Sequence, residues 1–179
     1  MRHWLSFLTL VLLIHSSACV EGGHNRSEPG SDFSWDGSWQ ENELEMLKEV
    51  NQYRAAGAFC ADQEMPPQPP LELDTTIQRA ARLHSEDMGA QNYFSHDALD
   101  GRDPFQRMED AGFTGAFPWG ENLQAGSKKA KEAVEGLMGS PGHCLNIMNP
   151  EFKVMGVGYA HNPESDYKHY WTQNFAASH

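Results

Sequence analysis

Three side chains stand out for the chemistry they could do together. They are His96 in "YFSHDALDG", Glu121 in "WGENL" and His143 in "GSPGHCLNIMNP". Two imidazoles and one carboxylate are the donor set of a two-histidine, one-carboxylate metal site, or equally of a buried polar network. Within any one segment the spacing is not metal-like. There is no HExxH, no CxxC and no histidine pair one turn apart on a helix. A shared site therefore has to be assembled by the fold from distant loops. His84 in "RLHSEDM", one turn before Met88, reads instead as a histidine packed or hydrogen-bonded by its own helix.

The same segment that carries His143 also carries Cys144. Ser140 as N-cap and Pro141 in the first turn would begin a short helix running through Leu145, Ile147 and Met148. His143 would sit in that first turn, where the helix end disfavours its protonation. A neutral imidazole there suits a ligand, a base or a partner for a buried backbone group. A thiol at a helix N-terminus beside a histidine invites a thiol-enzyme reading. Adjacent residues on a helix point in different directions, however, so His143 is poorly placed as a base for Cys144. Cys60 is available as a partner, and a Cys60–Cys144 bridge is expected. It would close a loop of roughly 85 residues, worth about 4.5 kcal/mol by the chain-entropy argument.

Export makes that bridge reasonable. "MRHWLSFLTLVLLIHSSAC" has one early cation, Arg2, an apolar run Trp4–Ile14 and then small residues. The run is too short for an ordinary transmembrane helix and suits a secretory signal peptide over residues 1–18. "SSAC" resembles a lipobox, which would make Cys19 a lipidation site; Ser16 departs from the usual aliphatic residue, and plain cleavage after Ala18 is the alternative. The formal charge is −12, or −13 once Arg2 is removed with the signal. With no basic stripe, nucleic acid is not an expected partner, and contact with a membrane is expected only through an N-terminal lipid anchor.

Around the candidate residues the periodicity supplies the elements. Residues 19–41 are rich in Gly, Ser and acids and read as a flexible tether. A helix from about Glu41 shares a face among Leu44, Leu47, Val50 and Tyr53 and stops near Gly57. "PPQPP" forces an extended connection. Asp74 caps a second helix carrying Ile77, Ala80, Ala81, His84 and Met88 inward, to about Asn92. Asp103, Pro104 and Gln106 mark a third with a capping box, and Gly112 ends it. A fourth turns Ala130, Ala133, Val134 and Leu137 inward. "GENLQAG", "VMGVGYA" and "HYWTQNFA" read as strands, the last two joined as a hairpin across "HNPESD". The pattern is α+β, with helices on a mainly antiparallel sheet.

Four segments in order, "LHSEDMGAQNYFSHDALDGRDPFQRMEDAGF", "GENLQAG", "GSPGHCLNIMNPEFKVMGVGYA" and "YWTQNF", resemble the CAP superfamily of cysteine-rich secretory, antigen 5 and pathogenesis-related 1 proteins, in its bacterial SCP-like form. The resemblance implies a three-layer α-β-α sandwich over residues 42–179, an extracytoplasmic location and a central cleft. In that cleft His96 looks like the family's first histidine, Glu121 its first glutamate and His143 its second histidine. The stretch that usually carries the second glutamate reads "LMGS" here, with Ser140 near the acid's place. Family members are linked to lipid or sterol binding, metal or glycan contacts, proteolysis and signalling, without one shared reaction. The expectation is an exported envelope-binding module for an unidentified envelope or extracellular ligand, lipid or glycan. The rivals are a zinc-dependent hydrolase with Glu121 as base, and a lipid or sterol carrier using the apolar face near Phe94, Phe105 and Trp119. No cofactor is required by the leading reading; zinc is the metal the cleft would take.

Overall fold

The computed structural model describes residues 36–178. The expected signal peptide, Cys19 and the tether as far as residue 35 lie outside the described residues, as does His179.

Helix α1 (Gly37–Ala56) starts earlier than the leucine periodicity suggested. Asp36 is its N-cap, accepting the Ser38 N–H at 2.9 Å. The tether expected to run to residue 41 therefore gives way to helix at Gly37, because a capping acid, not the first leucine, sets the start. The buried face also differs. It is Glu43, Met46, Val50 and Arg54, while Leu44 is 45% exposed. Two charged residues take inward positions because each finds partners there. Arg54 donates to the carbonyls of Pro69, Ile147, Asn149 and Phe152, at 2.8, 2.8, 2.9 and 3.3 Å.

A small antiparallel hairpin follows, β1 (Ala58–Cys60) with β2 (Gln63–Met65), turning through Ala61 at φ 54°. The extended proline run leads into β3 (Glu72–Leu73). Helix α2 (Thr75–Gln91) is capped as expected by Asp74, which accepts from Thr76 N and Ile77 N, and Asn92 ends it in the left-handed region. Helix α3 (Pro104–Asp110) has the full Asp103/Gln106 capping box. Then come β4 (Trp119–Ala125), α4 (Ala130–Met138), α5 (Pro141–Ile147), β5 (Val154–His161) and β6 (His169–Ala176).

The main sheet has the order β3-β5-β6-β4, antiparallel except where the short β3 runs parallel to β5. Strands β1, β2 and β3 escaped the sequence reading because three- and two-residue strands carry no period to detect. Alternation along β5 and β6 builds two cores. Met155, Val157, Trp171 and Phe175 face α1, α4 and α5. Val154 and Ala176 face α2 and α3, together with Ile77, Ala80, Met108 and Trp119. The result is the α-β-α sandwich expected, each fully buried aliphatic or aromatic side chain contributing about 1.5–3 kcal/mol.

Two features fix the layers. A Cβ on Gly158 would lie 2.2 Å from the Ala81 carbonyl, so α2 approaches β5 more closely than any side chain allows. On the other side Cys60 and Cys144 form the expected disulfide, with 5.4 Å between their Cα atoms, tying β1 to α5. Cys144 therefore holds no free thiol for a nucleophile, and the segment that carries His143 is anchored.

Candidate functional site

Glu121 lies mid-strand in β4 with its side chain toward α2 and α3, 2% exposed. A carboxylate buried that deeply needs partners, and it has two. Arg107 of α3, itself 5% exposed, donates Nη2 to Oε2 at 2.7 Å. His96, in the loop before α3, places Nδ1 2.8 Å from Oε1. The His96 side chain is 51% exposed, so its imidazole joins a buried ion pair to the surface. Arg107 also sets the loop itself, since its Nη1 donates to the carbonyls of His96 and Arg102 at 2.7 and 3.0 Å.

His143 comes from the other side of β4. The next residue on that strand, Asn122, points away from Glu121 and donates to the His143 carbonyl at 3.1 Å and to Gln173 Oε1 at 3.0 Å. Asn146 of α5 donates to the Glu121 carbonyl at 3.3 Å and to Asn122 Oδ1 at 2.9 Å. These amides lock α5 against β4. The His143 imidazole is half-buried, and its pKa is lowered by burial first and then by the charge of His96. The two histidines thus sense each other across the strand, and the structure gives no hydrogen bond from His143 to Glu121.

Beneath this set lies His84, fully buried on α2. Its Nε2 is 2.9 Å from the Ser95 carbonyl, and its pKa is pushed down to about 4, chiefly by burial, with Glu121 opposing and Arg107 assisting. His84 is packed, but its hydrogen bond goes to the loop after α2 and not to its own helix as the sequence suggested. His84 Nδ1, Arg107 Nε and both side-chain polar atoms of Asn174, the register partner of Glu121, are buried without a protein partner among the described residues. Ser140 caps α5 without a side-chain hydrogen bond, and puts a hydroxyl where a second acid was looked for.

Zinc fits this arrangement poorly. Both oxygens of Glu121 are engaged, and no group of three or more His, Cys, Asp or Glu among the described residues is placed to hold a metal ion. The apolar face expected near Phe94, Phe105 and Trp119 divides in two. Phe94 packs on Tyr167 at 5.6 Å, whereas Trp119 is only 9% exposed beneath Phe117, whose ring stacks on it at 4.3 Å and is 65% exposed. Phe105 completes that second patch.

Sequence reasoning missed Arg107, Asn122, Asn146 and Phe117. Only Arg107 had a signal: a glutamate inside an apolar strand demands a cation, and the one buried arginine of the neighbouring capped helix supplies it.

Residues 47–175 match the CAP family, described as the cysteine-rich secretory protein family, and this span includes His96, Glu121 and His143. The chain belongs to that family. The YkwD protein of Bacillus subtilis is 39% identical over 106 residues, which is 59% of this chain and 39% of YkwD. This chain thus matches well under half the length of that relative. An extracellular SCP-domain protein of Bacillus anthracis superposes with a TM-score of 0.63 at 28% identity, covering 76% of this chain and 40% of that one. An outer surface protein of Borrelia burgdorferi gives 0.66 at 18% identity over 79% of this chain and 96% of its own, a likeness of fold alone. No helix of this CAP domain among the described residues is long and apolar enough to cross a membrane.

Proposed function

We propose that this CAP domain is exported and serves at the cell envelope as a binding module for glycan, with His96 at the mouth of its cleft. The observation that carries this reading is the state of Glu121. Its carboxylate is held between Arg107 and His96, which suits a group that orients an imidazole and suits a free general base badly. Trp119 and Glu121 are two residues apart on one face of β4, so the Phe117–Trp119 stack borders the His96–Glu121 pair. An exposed aromatic ring beside charged hydrogen-bonding groups is a fitting surface for a sugar ring and its hydroxyls. Support for location comes from the apolar segment before Cys19, from the disulfide, and from relatives described as extracellular or outer-surface proteins. A lipid on Cys19 would hold the domain at a membrane, and Cys19→Ser should then release it to the soluble fraction.

The test is co-sedimentation of the full chain with purified peptidoglycan sacculi, beside phosphatidylglycerol vesicles and a zinc titration. Retention on sacculi should fall at least about tenfold in His96→Ala and in Phe117→Ala while both remain folded. Unchanged retention in both variants would overturn the reading. Binding to vesicles alone would establish the lipid carrier instead. Saturable zinc binding lost in His96→Ala, with hydrolysis that depends on it, would establish the hydrolase.

A further inference from the structure

The far end of the sheet carries two histidines that the cleft does not use. His161 and His169 are register partners at the last rung of the β5–β6 hairpin, so their side chains leave the same face. Their ring centroids are 4.6 Å apart and their planes 13° from parallel. The Tyr159 hydroxyl lies 2.7 Å from Nδ1 of His169, while His169 Nε2 makes no hydrogen bond among the described residues. Trp39 of α1 packs edge-on against Tyr159, fixing that phenol. His161 also lines a depression of about 190 Å³ beside Glu86 and Asn162.

We propose that His161 and His169 form a second, two-imidazole site for a borderline divalent cation such as zinc, copper or nickel, independent of the cleft. Paired imidazoles are suited to these metals, and water fills the remaining positions. Tyr159 is the positioning residue. With its oxygen accepting from Nδ1–H, the His169 tautomer has its lone pair on Nε2, the form that binds metal. Burial lowers the pKa of His169, and His161, Lys128 and Lys168 lower it further. Lys128 and Lys168 also oppose a metal ion and weaken the site. The exposed His161 ring has to turn out of its stack to bring a nitrogen toward the same ion, which its exposure permits.

The experiment is zinc titration of the full chain at pH 7.5, followed by calorimetry and by imidazole NMR with His161 and His169 assigned. Both rings should shift together with one equivalent of zinc. His161→Gln and His169→Gln should each weaken binding at least about tenfold, and Tyr159→Phe several-fold without loss of fold. His96→Ala and His143→Ala should leave this binding unchanged, which separates the site from the cleft. Zinc shifts absent from both rings, or binding that survives His161→Gln and His169→Gln together, would overturn the proposal.

Discussion

Glu43 and Glu121 are the same residue solving the same problem at opposite flanks of the sheet, and they end with different prospects. Glu43 of α1 has no exposed side-chain surface; Arg82 Nε bonds it at 3.1 and 3.0 Å, and Gln78 Nε2 and the Tyr159 N–H add bonds at 3.2 Å. Every partner comes from α2 or β5, so the network closes on itself and clamps α1 to the sandwich. Glu121 is equally buried, but one of its two partners is the half-exposed His96. One carboxylate is a fastener; the other is a fastener with a handle in solvent. Burial and an arginine do not distinguish a site from a structural pair here, whereas the exposure of the third group does.

The comparison breaks most visibly at the arginines. Arg107→Met strands Glu121 with His96 alone and releases two loop carbonyls, so urea unfolding at pH 7.5 should show a loss of about 3–5 kcal/mol. Arg82→Met should cost less, about 1–3 kcal/mol, because Glu43 keeps Gln78 and the Tyr159 N–H. Burial already raises the pKa of Glu43, with Arg82 opposing. A carboxyl whose folded pKa is raised contributes most below its unfolded pKa and loses that contribution as pH rises through the folded value. Arg82→Met raises it further, so the deficit of that variant should shrink between pH 7.5 and pH 5. An equal deficit at both pH values would mean that Glu43 stays charged and that the two networks are alike.

Acid acts with the opposite sign on the Glu121 flank. His84 is held neutral, with its pKa lowered to about 4 from an ordinary 6.5. Its contribution is complete above about 6.5 and is lost as pH falls toward 4, because the unfolded chain takes the proton first. Full loss amounts to about 3 kcal/mol. His84→Gln retains a donor for the Ser95 carbonyl but cannot charge, so its unfolding free energy should fall less between pH 7 and pH 5 than that of the unaltered protein. Parallel slopes would show that the acid sensitivity comes from the other lowered histidines, His143 and His169.

The two networks were also unequally legible. Caps and turn residues marked α2 and α3 directly, since Asp74, Asp103 and Gln106 act within three residues of where they stand. The β5–β6 hairpin was legible for the same reason, through β-rich runs around one polar turn. Glu43 was invisible: on α1 an acid at a core position reads as a break in the apolar face, and its partners lie 35, 39 and 116 residues away. His96, Glu121 and His143 stood out by residue type, which left a metal site and a polar network both open, and family resemblance assigned them to one cleft. What no local pattern contained was the direction of each side chain about β4, which sends Glu121 to one layer and Asn122, with His143, to the other.

The smallest stability effect is the one that decides whether the handle matters. His96→Ala removes a half-exposed partner from a carboxylate that Arg107 still holds at 2.7 Å, so unfolding should change by less than about 1 kcal/mol. A double-mutant cycle of His96→Ala with Arg107→Met should be non-additive, because both act on the same carboxylate. If the single His96→Ala change cost as much as Arg107→Met, His96 would be a fastener like Gln78, and Glu121 would be no different from Glu43. A negligible cost in stability together with lost retention on sacculi is the result that separates them. It would mean that the fold keeps His96 for contact with something outside the chain.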